Sequence, residues 1–283
     1  MSVVLLNGGL GNQLFQICFA LYLSEHSRDE TTVDYLTNTS LLAHGVGRLP
    51  DILTHVALET YDCKYPKLYK AQVKASMLRR SLIKRLKIES DRPTDRTISH
   101  SKNRVFAGYW QDDSRLYPQY ATLANLIADK FGVAGNGLNT VHMRFGDYKN
   151  KQNFHKYHQL DADYYFDAFS RVSANGCAPK FTIISDQPEH AKTVLSQARF
   201  ADFDIEFSNG SAWEDFMTLS GSRSIIASNS TFCWWAAVTA NRTGHLAKLV
   251  APKDWFQPAY VHLECPDFAY VNTLSTNLDF STL

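Results

Sequence analysis

From Thr140 to Ala251 the sequence alternates short apolar runs with segments of helical periodicity, and this restricts the fold more than any other property of the chain. Strand patterns at Thr140 to Arg144, Lys180 to Ser185, Phe203 to Phe207, Ser224 to Ala227 and Lys248 to Ala251 flank helical patterns at about Asp163 to Val172, Pro188 to Ala198, Ala212 to Ser220 and Thr231 to Asn241. Strand and helix taken in turn predict a doubly wound parallel sheet, because parallel neighbours need a crossover and a helix commonly supplies it. Ahead of this block lies Gly132-Val133-Ala134-Gly135-Asn136-Gly137, the best linker in the chain. It predicts an N-terminal α/β domain over 1–134 and a C-terminal one over 138–283.

The N-terminal half is less regular. Val3 to Leu6 reads as a strand, followed by Asn7-Gly8-Gly9-Leu10-Gly11-Asn12-Gln13, after which Leu14, Phe15, Ile17, Cys18, Leu21 and Tyr22 recur at helical spacing. The dinucleotide fingerprint G-x-G-x-x-G fails because Leu14 stands at its third glycine, and no Walker lysine follows, so no nicotinamide or flavin cofactor is expected. Asn12 has two readings: a helix cap, or an amide aimed into a cleft. Further strands are expected at Thr32 to Tyr35 and Arg104 to Tyr109, and a helix from about Tyr120 to Phe131. Between the last two, Tyr109 and Trp110 offer aromatic faces for a sugar beside Gln111, Asp112 and Asp113, or else belong to the core.

The most informative stretch is Asn139 to Tyr148. Here a strand carrying His142 and Arg144 runs into Gly146 and Asp147, which puts an imidazole and a guanidinium at its carboxyl end. Ligands of open α/β sheets bind at that end, and a forked, permanent cation suits phosphate or carboxylate. The plainer reading pairs Arg144 with Asp147 to tie down the loop. A second candidate is Ser228-Asn229-Ser230-Thr231 ahead of an apolar helix, an anion site by virtue of its free N–H groups. Ser185-Asp186-Gln187-Pro188-Glu189 reads as helix capping.

Composition removes other classes. With a net charge of +1 over 283 residues, general affinity for nucleic acid is not implied. Five scattered cysteines without a C-x-x-C pair argue against a disulfide framework and a zinc site. The triplets Asp161-Ala162-Asp163 and Asp202-Phe203-Asp204 suit a helix start and a strand better than a metal, so no metal is expected. With neither a signal peptide nor a membrane span, a cytoplasmic address is expected. The basic run from Lys64 to Lys87 reads first as a solvated helix face, second as a surface resting on an anionic membrane.

Taken together, Gly8-Gly9-Leu10-Gly11-Asn12-Gln13-Leu14-Phe15-Gln16, Gly108-Tyr109-Trp110-Gln111, His142-Met143-Arg144-Phe145-Gly146-Asp147-Tyr148 and the run from Ser228 to Ala237 resemble the motifs of the α-1,2-fucosyltransferases of glycosyltransferase family 11. The resemblance implies a GT-B fold, two Rossmann-like domains facing across a cleft. It implies inverting, metal-independent transfer of L-fucose from GDP-fucose to the 2-hydroxyl of a galactoside in bacterial surface-glycan synthesis of the O-antigen type. Carried over residue by residue, Arg144 holds the donor β-phosphate, and His142 and Asp215 meet the guanine. Asn229, Ser230, Thr231 and Phe232 lie at the pyrophosphate, and Asn12 reaches the reacting centre from the other domain. Gly9, Gly11, Gln13, Trp110 and Asp112 fall on the acceptor side; Asp147, His158 and Asp112 are candidates for a general base. One departure stands out: the family pattern His-x-Arg-Arg-x-Asp has Phe145 at its second arginine, so transfer of another GDP-linked sugar, or nucleotide-sugar or glycan binding without catalysis, is the alternative. Strand alternation turns neighbours to opposite faces, so Phe145 need not touch the ligand that Arg144 meets.

Overall fold

The computed structural model describes residues 1–35, 48–60, 87–90, 93–99, 104–146, 154–173, 179–260, 265–275 and 277–283. These residues form two compact units, Met1–Leu126 and Ile127–Leu283. Asp147 and Tyr148 lie outside the described residues, as does the basic run up to residue 86.

The first unit comprises β1 (Ser2–Leu5), α1 (Leu10–His26), β2 (Thr31–Asp34), α2 (Leu49–His55), β3 (Glu59–Thr60), β4 (Lys87–Ser90), α3 (Asp95–Ser99) and β5 (Arg104–Ala107), and it runs into α4 (Tyr117–Phe131). Its sheet has the order β3-β2-β1-β5-β4 with every pairing parallel. Winding changes direction between β1 and β5. Helix α1 begins earlier than the glycines suggest: Gly9 takes the cap position in extended backbone and accepts the first helical bond from Gln13 N at 3.1 Å. Asn12 is therefore in the first turn and is not the cap. Phe15, Ile17, Cys18 and Phe19 of α1 are fully buried.

Trp110, one of the residues expected on the acceptor side, belongs to this core. Its indole is fully buried and stacked on Phe19 with ring centroids 3.9 Å apart, and its carbonyl accepts from Tyr120 Oη at 2.8 Å. Its backbone is left-handed (φ 50°), and a Cβ on Gly108 would lie 2.9 Å from the indole, so this close fit requires glycine there. Both indole faces are thus withdrawn from any sugar, whereas the Tyr109 ring is exposed.

The second unit holds β6 (Asn139–Met143), α5 (Ala162–Ser173), β7 (Lys180–Ser185), α6 (Pro188–Leu195), β8 (Asp204–Phe207), α7 (Ala212–Ser220), β9 (Ser224–Ile226), α8 (Thr231–Arg242), β10 (Lys248–Ala251), α9 (Ala269–Thr273) and β11 (Asp279–Thr282). Its sheet order is β11-β10-β9-β6-β7-β8, again all parallel. The chain winds outward from β6 through β7 to β8, then returns to the other flank of β6 and continues through β9 and β10 to β11. This is the doubly wound order of a nucleotide-binding sheet, with its switch point between β6 and β9. Helix α8 is buried from Cys233 to Asn241 without interruption, packed against both α7 and α9, and Trp234 Nε1 donates to Asp267 O at 2.9 Å. The glycine-rich stretch after α4 is bonded to this unit: Asn136 donates from its backbone to Gly221 O at 2.9 Å and from Nδ2 to Thr218 O at 2.8 Å.

Among the described residues no helix is long and apolar enough to cross a membrane.

Candidate functional site

Two loops meet at the switch point of the second unit: the one leaving β6 and the one between β9 and α8. Val141 pairs with Ile226 across these strands, which brings the next residues of each chain side by side. His142 Nδ1 and Ser228 Oγ lie 2.6 Å apart. The imidazole is 5% exposed, and burial, reinforced by the neighbouring Arg144 and opposed by Asp186, lowers its pKa to about 3. It is therefore a neutral ring at any ordinary pH. Phe232 stacks near it at a centroid distance of 5.5 Å.

Arg144 is held by Asp186; Asp147, its partner in the plainer reading, lies outside the described residues. Its Nη1 is 2.9 Å from Asp186 Oδ2, and the two side chains are 20% and 21% exposed. The same carboxylate accepts the backbone N–H groups of Phe145 and Gly146, each at 2.9 Å. Gly146 is required by this approach, because a Cβ there would fall 2.3 Å from Asp186 Oδ2. Ser185 extends the clamp by donating to Met143 O at 2.7 Å. The Ser185–Asp186 pair, expected to cap a helix, thus fixes the loop that carries Arg144. Phe145 is 7% exposed within the apolar core and meets the His190 ring edge-on at 4.4 Å. The side chain that stands at the family's second arginine is directed into the core.

At the start of α8, Ser230 is the cap residue, is 7% exposed, and makes no side-chain capping bond. The positive end of the α8 dipole therefore lies at this loop without a capping bond from Ser230, a position that favours an anion. Asn229, expected at the pyrophosphate, has another task. It is 1% exposed and donates through Nδ2 to His158 O at 2.9 Å and Trp255 O at 3.1 Å, so its N–H groups fasten two other segments to this loop. His158 N also donates to Trp255 O at 3.0 Å, which fixes the backbone that bears its imidazole. Thr231 and Phe232 are half-buried in the first turn of α8.

Asp215 lies on α7, a helix started by a capping box between Ser211 and Glu214. Its carboxylate accepts from Ser208 Oγ, and its pKa is raised, first by burial and further by Glu214, with the Ser208 bond acting against both. An aromatic file joins these elements: Phe131 to Trp213 at 4.9 Å, Trp213 to Phe216 at 5.6 Å, and Phe216 to Phe232 at 5.5 Å. It ends at His142, so α7 and α8 are packed in register with the end of β6.

In the first unit Gln13 and Gln16 turn inward. Gln13 Nε2 donates to Gly8 O at 2.9 Å; Gln16 accepts from Asn7 N at 2.8 Å and donates to Gly108 O at 3.0 Å. Asn12 Oδ1 accepts from Gln111 Nε2 at 3.0 Å. Gly9 is half-buried, Gly11 is buried inside α1, and Asp112 is exposed. Sequence reasoning missed Gln16, Asp186 and Ser228 as organisers of these loops.

Among the described residues no three His, Cys, Asp or Glu side chains gather as a metal site would require. Asp161 accepts from the backbone of Asp163 and Tyr164 at 3.0 Å each, and Asp163 pairs with Arg199, so the first acidic triplet is engaged locally.

A family model described as Glycosyl transferase family 11 matches residues 73–266. An alpha-1,2-colitosyltransferase of Escherichia coli is 28% identical over 276 residues, spanning 91% of this chain and 93% of that protein. Among solved structures, the E. coli heptosyltransferase WaaC with ADP is 13% identical with a TM-score of 0.46, covering 99% of this chain and 90% of its own. The fucosyltransferase NodZ from Bradyrhizobium is 10% identical with a TM-score of 0.40, covering 85% and 93%.

Proposed function

This chain belongs to glycosyltransferase family 11, and from that premise we propose that it transfers L-fucose from GDP-fucose to the 2-hydroxyl of a galactoside acceptor, with inversion and without a metal. The observation that carries the reading is the grouping of a neutral imidazole, a clamped arginine and a helix N-terminus without a side-chain cap at one switch point.

In this reading the guanine lies against His142, Phe232 and Asp215, and the diphosphate meets Arg144 and the first turn of α8 at Ser230 and Thr231. As the acceptor oxygen bonds to the anomeric carbon, the glycosidic C–O bond breaks and its electron pair passes to the β-phosphate of GDP. Arg144 and the α8 dipole oppose that developing charge, and Asp186 keeps the guanidinium in place before it develops. The acceptor proton goes to His158 or Asp147, or to water if the transition state is dissociative. We assign Asn12 to the acceptor hydroxyls, in a surface-glycan pathway.

A second reading is favoured by the E. coli relative: transfer of a colitosyl group in place of fucose. The burial of Phe145 supports an intact Arg144 site in either case. Incubating the protein with GDP-linked sugars and a panel of galactosides, with the product linkage read by NMR, tests both. An α-1,2-fucosylated galactoside is expected. Transfer only from UDP-sugars, or only with added metal, would overturn the proposal.

A further inference from the structure

The short contact between His142 and Ser228 determines where the ring hydrogen of His142 resides. Ser228 is 0% exposed, and His142 Nδ1 is the one partner of its hydroxyl among the described residues. If Nδ1 carried the hydrogen, it would donate to Ser228 Oγ and leave a buried O–H without an acceptor. Buried hydroxyls are rarely left so. With Ser228 donating to Nδ1, both groups are satisfied, and the hydrogen of the neutral ring lies on Nε2. His142 is 5% exposed, yet Nε2 meets no partner among the described residues. An unmatched donor on a ring this enclosed is a ligand contact in waiting.

We propose that Ser228 is a positioning residue that fixes His142 as an Nε2–H donor, so that the site favours a base presenting acceptor atoms there and disfavours one presenting an amino group. Guanine offers such an edge in O6 and N7, whereas adenine places an amino group at the position of O6. Ser228 acts through His142 and does not touch the ligand. The inference rests on the proposed donor site for its choice of ligand, while the tautomer itself does not.

Two measurements on the full chain test it. The 15N spectrum of histidine-labelled, ligand-free protein, with His142 identified by its loss in His142→Gln, is expected to show hydrogen on Nε2 alone; hydrogen on Nδ1, or on both nitrogens, would overturn the proposal. Calorimetric titration with GDP and ADP is then compared between wild type and Ser228→Ala. GDP affinity is expected to fall about tenfold and ADP affinity to hold, shrinking the preference for GDP by the same factor. An equal loss for both nucleotides, or no loss, would make Ser228 merely structural and overturn the positioning role. If the wild type binds neither nucleotide, the proposed donor site fails, and the spectrum still decides the tautomer. That spectrum is read on the unmodified chain, and His142→Gln serves only to assign the signal.

Discussion

Each unit changes its direction of winding beside its first strand, between β1 and β5 in one and between β6 and β9 in the other, but the two switch points are furnished in opposite ways. In the first unit, neutral amides close the loops upon themselves: Gln16 bridges Asn7 and Gly108, Gln13 holds Gly8, and Asn12 meets Gln111. In the second, a cation stands at the strand end, an enclosed imidazole has an unmatched nitrogen, and a helix starts without a side-chain cap. One arrangement satisfies its polar groups internally and fixes a loop shape. The other keeps donors available for an anion and a base. Shared topology thus says where a ligand can bind, and the unfinished hydrogen bonding says which of the two sites is built for a nucleotide.

The comparison is broken most severely through the first unit's core. Trp110→Ala removes a fully buried indole and is expected to cost about 3–5 kcal/mol of stability by denaturant unfolding, since the left-handed backbone and Gly108 were shaped to that ring. Next comes the charge in the second unit: Arg144→Ala is expected to lower turnover by roughly 100- to 1000-fold with unfolding little changed, as for a lost oxyanion donor. Gln16→Leu should do the reverse, destabilising by about 1–3 kcal/mol because the part-buried N–H of Asn7 and C=O of Gly108 lose their partner, while GDP affinity holds. Per pH unit, the smallest effect is that of acid. Because folding lowers the His142 pKa from 6.5 to about 3, the unfolded chain binds the extra proton between those values, so stability falls as pH drops below 6.5. Comparing wild type with His142→Gln over that interval, the wild type should lose about 1.4 kcal/mol more per pH unit.

Much of the second unit was legible because its periodicity is local. Strands β7 and β10 and helix α7 have the bounds the pattern predicts, and β6 ends one residue before Arg144, which leaves the arginine at the carboxyl edge. Strand β11 escaped notice because four half-exposed or exposed residues at a sheet edge carry no clear alternation. The helix pattern from Pro188 to Ala198 stops at Leu195, and a 3-10 turn follows from Ala198 to Phe200. Residue types at strand ends and helix starts pointed to His142, Arg144 and Ser230. Their supports could not be read, since the Ser228 contact spans 86 residues of chain and Asp186 resembles any acidic residue before a helix. For the same reason the sequence could not decide between a sugar-facing and a core Trp110: its partner Phe19 lies on α1, far away in sequence.

The most direct test of the central claim, that the second unit's switch point is the nucleotide site, is calorimetric titration of GDP in EDTA with wild type, Arg144→Ala and Gln16→Leu side by side. The account predicts binding by wild type and Gln16→Leu and its loss by at least tenfold in Arg144→Ala. Undiminished binding by Arg144→Ala, or loss in Gln16→Leu alone, would contradict it and move the site to the first unit.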